Sequence, residues 1–255
     1  MLKQETSTNE QKKIVQNARH TVAKLLVTTN PSILTSAQRL GSIKPLVALV
    51  HEHDSKDLQR FEALLSLTNL AVAGEEERNR IVSQKGISVL SYAMFSDHEM
   101  VRCAATEAMS NLFPHETFLK HLENPENLKL WVAFASDFEE NFGCARAAAG
   151  CLAMVTQSSD ISASLIKVKS LKETIKMLLE CGKLEIMHRC MVIVLNLVKH
   201  GGETKQTMVE AGAVAFCHAY VQTFHSSSTN LEMSEADQKE MTATLRMAKE
   251  IVRAC

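Results

Sequence analysis

The chain has few of the residues that mark strands, turns or membrane spans. Only 5% of its 255 residues are aromatic, and it contains nine glycines and four prolines. No apolar run approaches the roughly 20 residues that a membrane-spanning helix needs, and the polar N-terminal residues lack the apolar core of a signal peptide. We therefore expect a soluble protein that is not secreted and has no membrane partner.

The charge balance and the cysteines bear on the possible partners and the cellular compartment. Lys and Arg (28) nearly balance Asp and Glu (29), and no basic stripe with interleaved aromatic residues occurs. Binding to a nucleic-acid backbone needs a cluster of unpaired cations, so we expect no nucleic-acid partner. The seven cysteines form no CxxC pair, which favours a reducing compartment and predicts a cytoplasmic protein. There Cys103, Cys151 and Cys190 are expected to act as small buried apolar residues.

Motifs of catalysis and metal binding are also missing. The sequence contains no GxxxxGK loop, no GxSxG elbow and no HExxH helix. Three groups of side chains could still suggest chemistry: His51 with His53, Asp137 with Glu139 and Glu140, and Cys144 with Cys151. None has the additional ligand, base or neighbouring histidine that a metal site or an activated nucleophile requires. We predict no enzyme activity, no metal and no cofactor.

The feature that is present is a short pattern that returns four times. Its central residues are Asn69, Asn111, Met154 and Asn196, at intervals of 42, 43 and 42 residues, which is the period of armadillo or HEAT repeats. One repeat cannot bury its apolar face alone, so neighbouring repeats stack and leave an extended concave surface. The predicted fold is all-α, an armadillo/HEAT-like right-handed superhelical solenoid, and the predicted function is binding.

Helix-breaking residues divide most periods into three segments, which favours armadillo repeats over two-helix HEAT repeats. Residues 1–30 are predicted to hold the last helix of a preceding repeat, so the chain is expected to begin inside a longer array. Residues 31–201 are predicted to form armadillo repeats, in which the first contains a short helix over residues 33–39 and a second helix capped by Ser42. Residues 202–255 are predicted to form a terminal repeat, a low-complexity turn at residues 226–230 and a capping helix over residues 235–255 with Ser234 as its N-terminal cap.

Several of these stretches also resemble a known family. The similar segments are residues 30–31, 60–71, 92–95, 98–99, 102–112, 128–131, 146–156 and 188–197. In this order and spacing they resemble the C-terminal portion of the UCS domain in the UCS-domain myosin chaperones. The resemblance implies a co-chaperone that binds a segment of the myosin motor domain in its groove and aids folding or thick-filament assembly. It also implies that Hsp90 would bind only through a tetratricopeptide domain, which these residues do not include.

In armadillo arrays the third helix of each repeat lines the groove. Asn69, Asn111 and Asn196 lie on predicted third helices, and a side-chain amide can both donate to and accept from an extended backbone. Charged residues on these helices complete the predicted partner-binding set: Glu62, Arg102, Glu107, Arg146 and Arg189. Two alternatives stay open, since the asparagines could bond only to a neighbouring helix and the charges could form a solvated face or internal ion pairs. A general armadillo scaffold for protein–protein interactions is the alternative function.

Overall fold

The computed structural model describes residues 2–226 and 234–255. In this part of the chain, α-helices and one 3-10 turn (Pro31–Ile33) occur, and there are no strands. The helices are α1 (Leu2–Thr28), α2 (Ser36–His51), α3 (Asp57–Ala73), α4 (Glu75–Ser83), α5 (Gly86–Ala93), α6 (Glu99–Ser110), α7 (Glu116–Leu122), α8 (Pro125–Ser136), α9 (Phe142–Val155), α10 (Ser159–Leu165), α11 (Leu171–Glu180), α12 (Leu184–His200), α13 (Gly202–Glu210), α14 (Ala213–Ser226) and α15 (Glu235–Ala254). The predicted all-α, armadillo-like class is confirmed.

The chain forms two compact units, residues 1–118 and 119–255. In the first unit α1 packs on α3, α3 packs on α6, and α2 lies against α3. The apolar residues of α3 follow helical spacing, because Ala63, Leu64, Leu67 and Leu70 all lie on its buried side. The third helices of the repeats in this unit, α1, α3 and α6, therefore pack on one another.

The start of α2 differs from the prediction. A short helix over residues 33–39 and a second helix capped by Ser42 are wrong, because α2 is one continuous helix capped by Thr35. The Thr35 hydroxyl accepts from the Gln38 backbone N–H at 3.3 Å, and the Gln38 side-chain oxygen accepts from the Thr35 N–H at 2.9 Å. This reciprocal pair satisfies free donors at the helix start. Ser42 instead donates to the Gln38 carbonyl at 2.9 Å, inside the helix.

In the second unit α8 packs on α9, α9 on α12, and α12 on α15. Alanines such as Ala145, Ala148 and Ala149 are buried on α9, and small side chains let helices approach closely. Trp131 of α8 is 2% exposed, in agreement with the prediction that it packs in the interior. The third helices of this unit thus stack as they do in the first.

The last helix begins where the sequence predicts. Ser234 caps α15, and its hydroxyl accepts from the Asp237 N–H at 3.1 Å. Thr244, Ala248 and Ile251 are buried on this helix, which packs against α12 and α14. Apart from Ser226, which ends α14, the predicted turn at residues 226–230 lies outside the described residues. No helix in the described ranges combines the length and the apolar character needed to cross a lipid bilayer.

His188 lies at the contact between α12 and α15. Its ring Nδ1 is 3.4 Å from the Thr244 hydroxyl, and burial lowers the pKa of His188, with Arg189 and Arg246 acting in the same direction and Glu240 opposing them. As the pH falls, His188 is therefore protonated at a higher pH in the unfolded chain than in the folded chain. The stability that neutral His188 contributes is present above its ordinary pKa of about 6.5 and is lost as the pH falls below it.

Replacing His188 tests this linkage. Between about pH 7.5 and pH 5.5, we expect the melting temperature of His188→Gln to fall less than that of the unchanged chain, because glutamine cannot be protonated in this range. Circular dichroism melts at the two pH values measure the difference. His53→Gln is the control, since the side chain of His53 is fully exposed. Equal losses for His188→Gln, His53→Gln and the unchanged chain would contradict the assignment.

Candidate partner-binding site

Asn69 ties the third helix α3 to α1. Its Nδ2 donates to the Leu26 and Val27 carbonyls, each at 3.3 Å. Both carbonyls lie in the last turn of α1, where helical carbonyls lack partners within their own helix. The side chain of Asn69 therefore caps α1 from the neighbouring repeat.

Asn111 makes the same kind of contact more weakly. It follows α6, and its Nδ2 lies 3.5 Å from the Thr68 carbonyl of α3. This distance is at the long end for a hydrogen bond. Among the predicted asparagines, Asn111 consequently depends least on its contact with the scaffold.

In the second unit Asn196 is held by two acceptors. Its Nδ2 donates to the Ala153 carbonyl and to the Thr156 hydroxyl, both at 3.1 Å, on and just after α9. The carbonyls reached by Asn69 (Leu26), Asn111 (Thr68) and Asn196 (Ala153) all lie 43 residues earlier in the chain.

The three asparagines therefore do what one open alternative proposed, because each amide nitrogen bonds to a neighbouring helix. Their side-chain oxygens, however, accept no hydrogen bond from any residue that the structure describes. All three side chains are half-buried. Each of these asparagines thus keeps an amide oxygen that can accept from a partner.

The charged candidates of the first unit have partners within the chain. Glu62 of α3 lies 2.5 Å from His20 Nε2 of α1. Glu107 is half-buried one turn before Asn111 on α6. Arg102 lies nine positions before Asn111, which is two and a half turns at 3.6 residues per turn, so the two side chains point to opposite sides of the helix. The Nη1 of Arg102 donates to the Ser96 carbonyl at 2.8 Å. Arg102 thus holds the loop before α6.

In the second unit two predicted cations share one carboxylate. Arg189 Nη1 lies 3.1 Å from the Glu185 carbonyl and 3.5 Å from its Oε2, and Arg146 Nη1 lies 3.8 Å from the same Oε2. A Cβ at Gly150 would lie 3.3 Å from Arg189 Nε, so glycine leaves room for this arginine over α9. The Glu185–Arg189 pair follows the i, i+4 spacing visible in the sequence, but Glu185 was not among the predicted site residues.

The side chains that could have suggested metal or acid–base chemistry are separated or engaged in other contacts. His51 ends α2, whereas His53 lies exposed in the following loop. The Asp137 carboxylate accepts from Asn141 Nδ2 at 2.5 Å, and Glu139 lies 3.6 Å from Lys183 Nζ. Within residues 2–226 and 234–255, no group of three or more His, Cys, Asp or Glu side chains is arranged to hold a metal ion.

The cysteines differ in their surroundings. Cys151 and Cys190 are buried, as predicted, whereas Cys103 is half-buried and Cys255 is exposed. Burial raises the pKa of the thiols of Cys151 and Cys190, and it raises the pKa of Cys217 to about 12. These three thiols are therefore protonated at neutral pH, and a thiol in that state is a poor nucleophile.

Thiol labelling of the folded chain tests this difference. We expect Ellman's reagent to modify Cys255 quickly and to reach Cys151 and Cys190 only after unfolding, since the thiolate is the reacting form. Release of the coloured thiolate product measures both phases. Cys255→Ser should remove the fast phase. If the fast phase persists in that variant but disappears in Cys151→Ala, the assignment is wrong.

Substitution of Asn69 tests its role as a cap. Asn69→Ala removes two hydrogen bonds to α1, so we expect it to lower the free energy of unfolding by about 1 kcal/mol and the melting temperature by about 2–4 °C. Thermal and urea unfolding measure the change. Asn79→Ala is the matched control, because Asn79 is exposed on α4 and has no side-chain hydrogen bond to any described residue. The cap assignment fails if both variants melt alike.

The three-helix repeats, joined in a 43-residue register, define the chain as an armadillo-type solenoid. No protein-family model matches it. The chain is a homologue of a segment of the UNC-45 proteins, which confirms the resemblance seen in the sequence. It is 35% identical over 199 residues to Protein unc-45 homolog B of Danio rerio, a match that covers 76% of this chain and 21% of that protein.

Solved structures show the same likeness. UNC-45 from Drosophila melanogaster superposes with a TM-score of 0.82 at 26% identity, covering 94% of this chain and 29% of that one. The myosin chaperone UNC-45 from C. elegans, in complex with a Hsp90 peptide, gives a TM-score of 0.73 at 26% identity over 90% of this chain and 25% of that one. The chain thus spans about a fifth of the length of the curated relatives it matches.

Proposed function

We propose that this chain is a non-enzymatic, cytoplasmic co-chaperone module that binds a segment of a myosin motor domain and aids its folding or assembly. The observation that carries the proposal is the repeated asparagine, whose amide nitrogen bonds to a neighbouring helix and whose oxygen accepts from no described residue, on a chain homologous to UNC-45 proteins. A relative of known structure is described as a myosin chaperone. Within each unit, the partner would lie along the side of the third helices that carries these oxygens.

The asparagines suit an unfolded or extended client because they address its backbone. An extended segment presents free N–H groups at every residue, and an amide oxygen accepts from any of them without reading the side chain. Since two scaffold acceptors already hold the Nδ2 of Asn69 and of Asn196, these side chains lose little conformational freedom when the client binds. The contact is thus preorganised and tolerant of sequence.

The charged residues add orientation to this contact. Glu62 and Glu107 in the first unit, and Arg146 and Arg189 in the second, would contact charged side chains of the client in addition to the contacts that they make within the chain. Half-exposed pairs of this kind contribute modestly to affinity and more to specificity and association rate. Arg102 would affect client binding indirectly, by holding the loop before α6 at Ser96.

Protection of a heated client tests the proposal. We expect the purified chain to keep a myosin motor domain soluble under heat while an equal amount fails to protect citrate synthase, because the charged side chains add specificity to the sequence-tolerant backbone contact. Light scattering and sedimentation measure the protection. Protection of both clients would favour the alternative, a general armadillo scaffold for protein–protein interactions. Protection of neither client would contradict the proposal for this chain.

Asn111→Ala tests the role of the asparagine oxygen. Its scaffold bond is the longest of the set, so this variant should unfold like the unchanged chain. We expect its affinity for the myosin motor domain to fall about two- to tenfold, the effect of one hydrogen bond. Binding is measured by fluorescence anisotropy, with Asn79→Ala as the matched control. Equal affinities for Asn111→Ala and Asn79→Ala would contradict the role of the oxygen.

A further inference from the structure

Two large aromatic side chains of the first unit face the solvent. Tyr92, near the end of α5, is 80% exposed, and Phe95, in the loop that leads to α6, is 69% exposed. Aromatic residues of this size are costly to leave in water, and a cluster of them on a surface marks an interaction site. Neither residue takes part in the asparagine contacts described above.

The two aromatic residues border a cavity of about 340 Å³. It lies where the α2–α3 connection of one repeat meets the α5–α6 connection of the next, at the N-terminal ends of α3 and α6. The asparagines lie at the opposite, C-terminal ends of these helices. The main lining residues are Val50, Asp57, Arg60, Tyr92, Phe95 and Asp97, and they are called the aromatic cleft below.

Two arginines 42 residues apart hold the walls of the aromatic cleft. Arg60 Nη2 donates to the Glu52 and His53 carbonyls at 3.2 and 3.3 Å, and Arg102 Nη1 donates to the Ser96 carbonyl at 2.8 Å. Each arginine thereby fixes the loop that precedes its own helix. The cleft is therefore formed before a partner arrives, which lowers the entropy cost of binding.

The two acidic residues of the aromatic cleft differ in their contacts. The positive charge of Arg60 is partly balanced by Asp57, whose Oδ1 lies 3.7 Å from Arg60 Nη1. Asp97, by contrast, is exposed, and its carboxylate has no hydrogen bond or ion pair with any residue that the structure describes. A carboxylate beside two exposed aromatic rings favours a cation with a planar, weakly hydrated surface.

We propose that the aromatic cleft binds an arginine side chain of a protein segment. The guanidinium would stack on Tyr92 or Phe95 and donate to the Asp97 carboxylate, since a guanidinium can do both at once, while an apolar neighbour of that arginine enters the cavity next to Val50. Arginine fits better than lysine because the ammonium group is more strongly hydrated and does not stack. This site is independent of the asparagine contacts and does not depend on which client the chain serves.

Fluorine NMR gives a direct test, because the chain contains two tyrosines, Tyr92 in the first unit and Tyr220 in the second. The full chain is labelled with 3-fluorotyrosine and titrated with the peptide acetyl-Leu-Arg-Leu-amide. The control peptide carries citrulline, which has the shape of arginine without its charge. We expect the Tyr92 resonance to shift with the arginine peptide, which should bind at least about fivefold more tightly than the citrulline peptide, and the Tyr220 resonance to stay in place.

Three variants sharpen the result. Asp97→Asn should abolish the preference for arginine over citrulline, whereas Asp54→Asn should retain it, because Asp54 is also an exposed aspartate but does not line the cleft. Asn111→Ala should bind the arginine peptide like the unchanged chain, which separates this site from the proposed client contact. A Tyr92 resonance that does not move, equal affinities for the two peptides, or equal effects of Asp97→Asn and Asp54→Asn would each overturn the proposal.

Discussion

The stacking of third helices in a fixed register is the constraint on which the rest of the structure depends. Apolar side chains alone tolerate small shifts between packed helices, but a buried polar group needs its partner at one place. Ser66 meets the Ala23 carbonyl, and Asn69 and Asn196 meet carbonyls of their own preceding helices, each across 43 residues. These bonds fix both the height and the rotation of one third helix against the next.

The same constraint links stability to binding. Each asparagine bonds to the scaffold through its nitrogen and keeps its oxygen for a partner. The longer scaffold bond of Asn111 contributes less to the fold, whereas Asn196 is held by two acceptors at 3.1 Å. A substitution at Asn196 therefore changes the fold and the proposed contact together. The two effects can be separated only where the scaffold bond is weak.

The sequence predicts the parts of the structure that depend on local spacing. The 42- to 43-residue period locates the third helices, and the serine cap locates the start of α15. It does not predict what depends on distant residues. The local signal for a helix cap at Ser42 competes with the stronger reciprocal cap formed by Thr35 and Gln38. The direction of the Arg102 side chain follows from its hydrogen bond to the Ser96 carbonyl. Glu185 becomes a shared partner only because α12 packs on α9.

The two ends of a third helix carry different chemistry. The helices α3, α6 and α12 each begin with a carboxylate in the first turn, where the helix dipole favours negative charge. One turn later each has an arginine: Arg60, Arg102 and Arg189. Because these arginines bond to preceding loops or to the first-turn carboxylate, they rigidify the N-terminal end without using the asparagines. Side chains at the end of α5 and in the α5–α6 loop, such as Tyr92, Phe95 and Asp97, are then free to change without disturbing the register, so a second binding specificity can arise at this end.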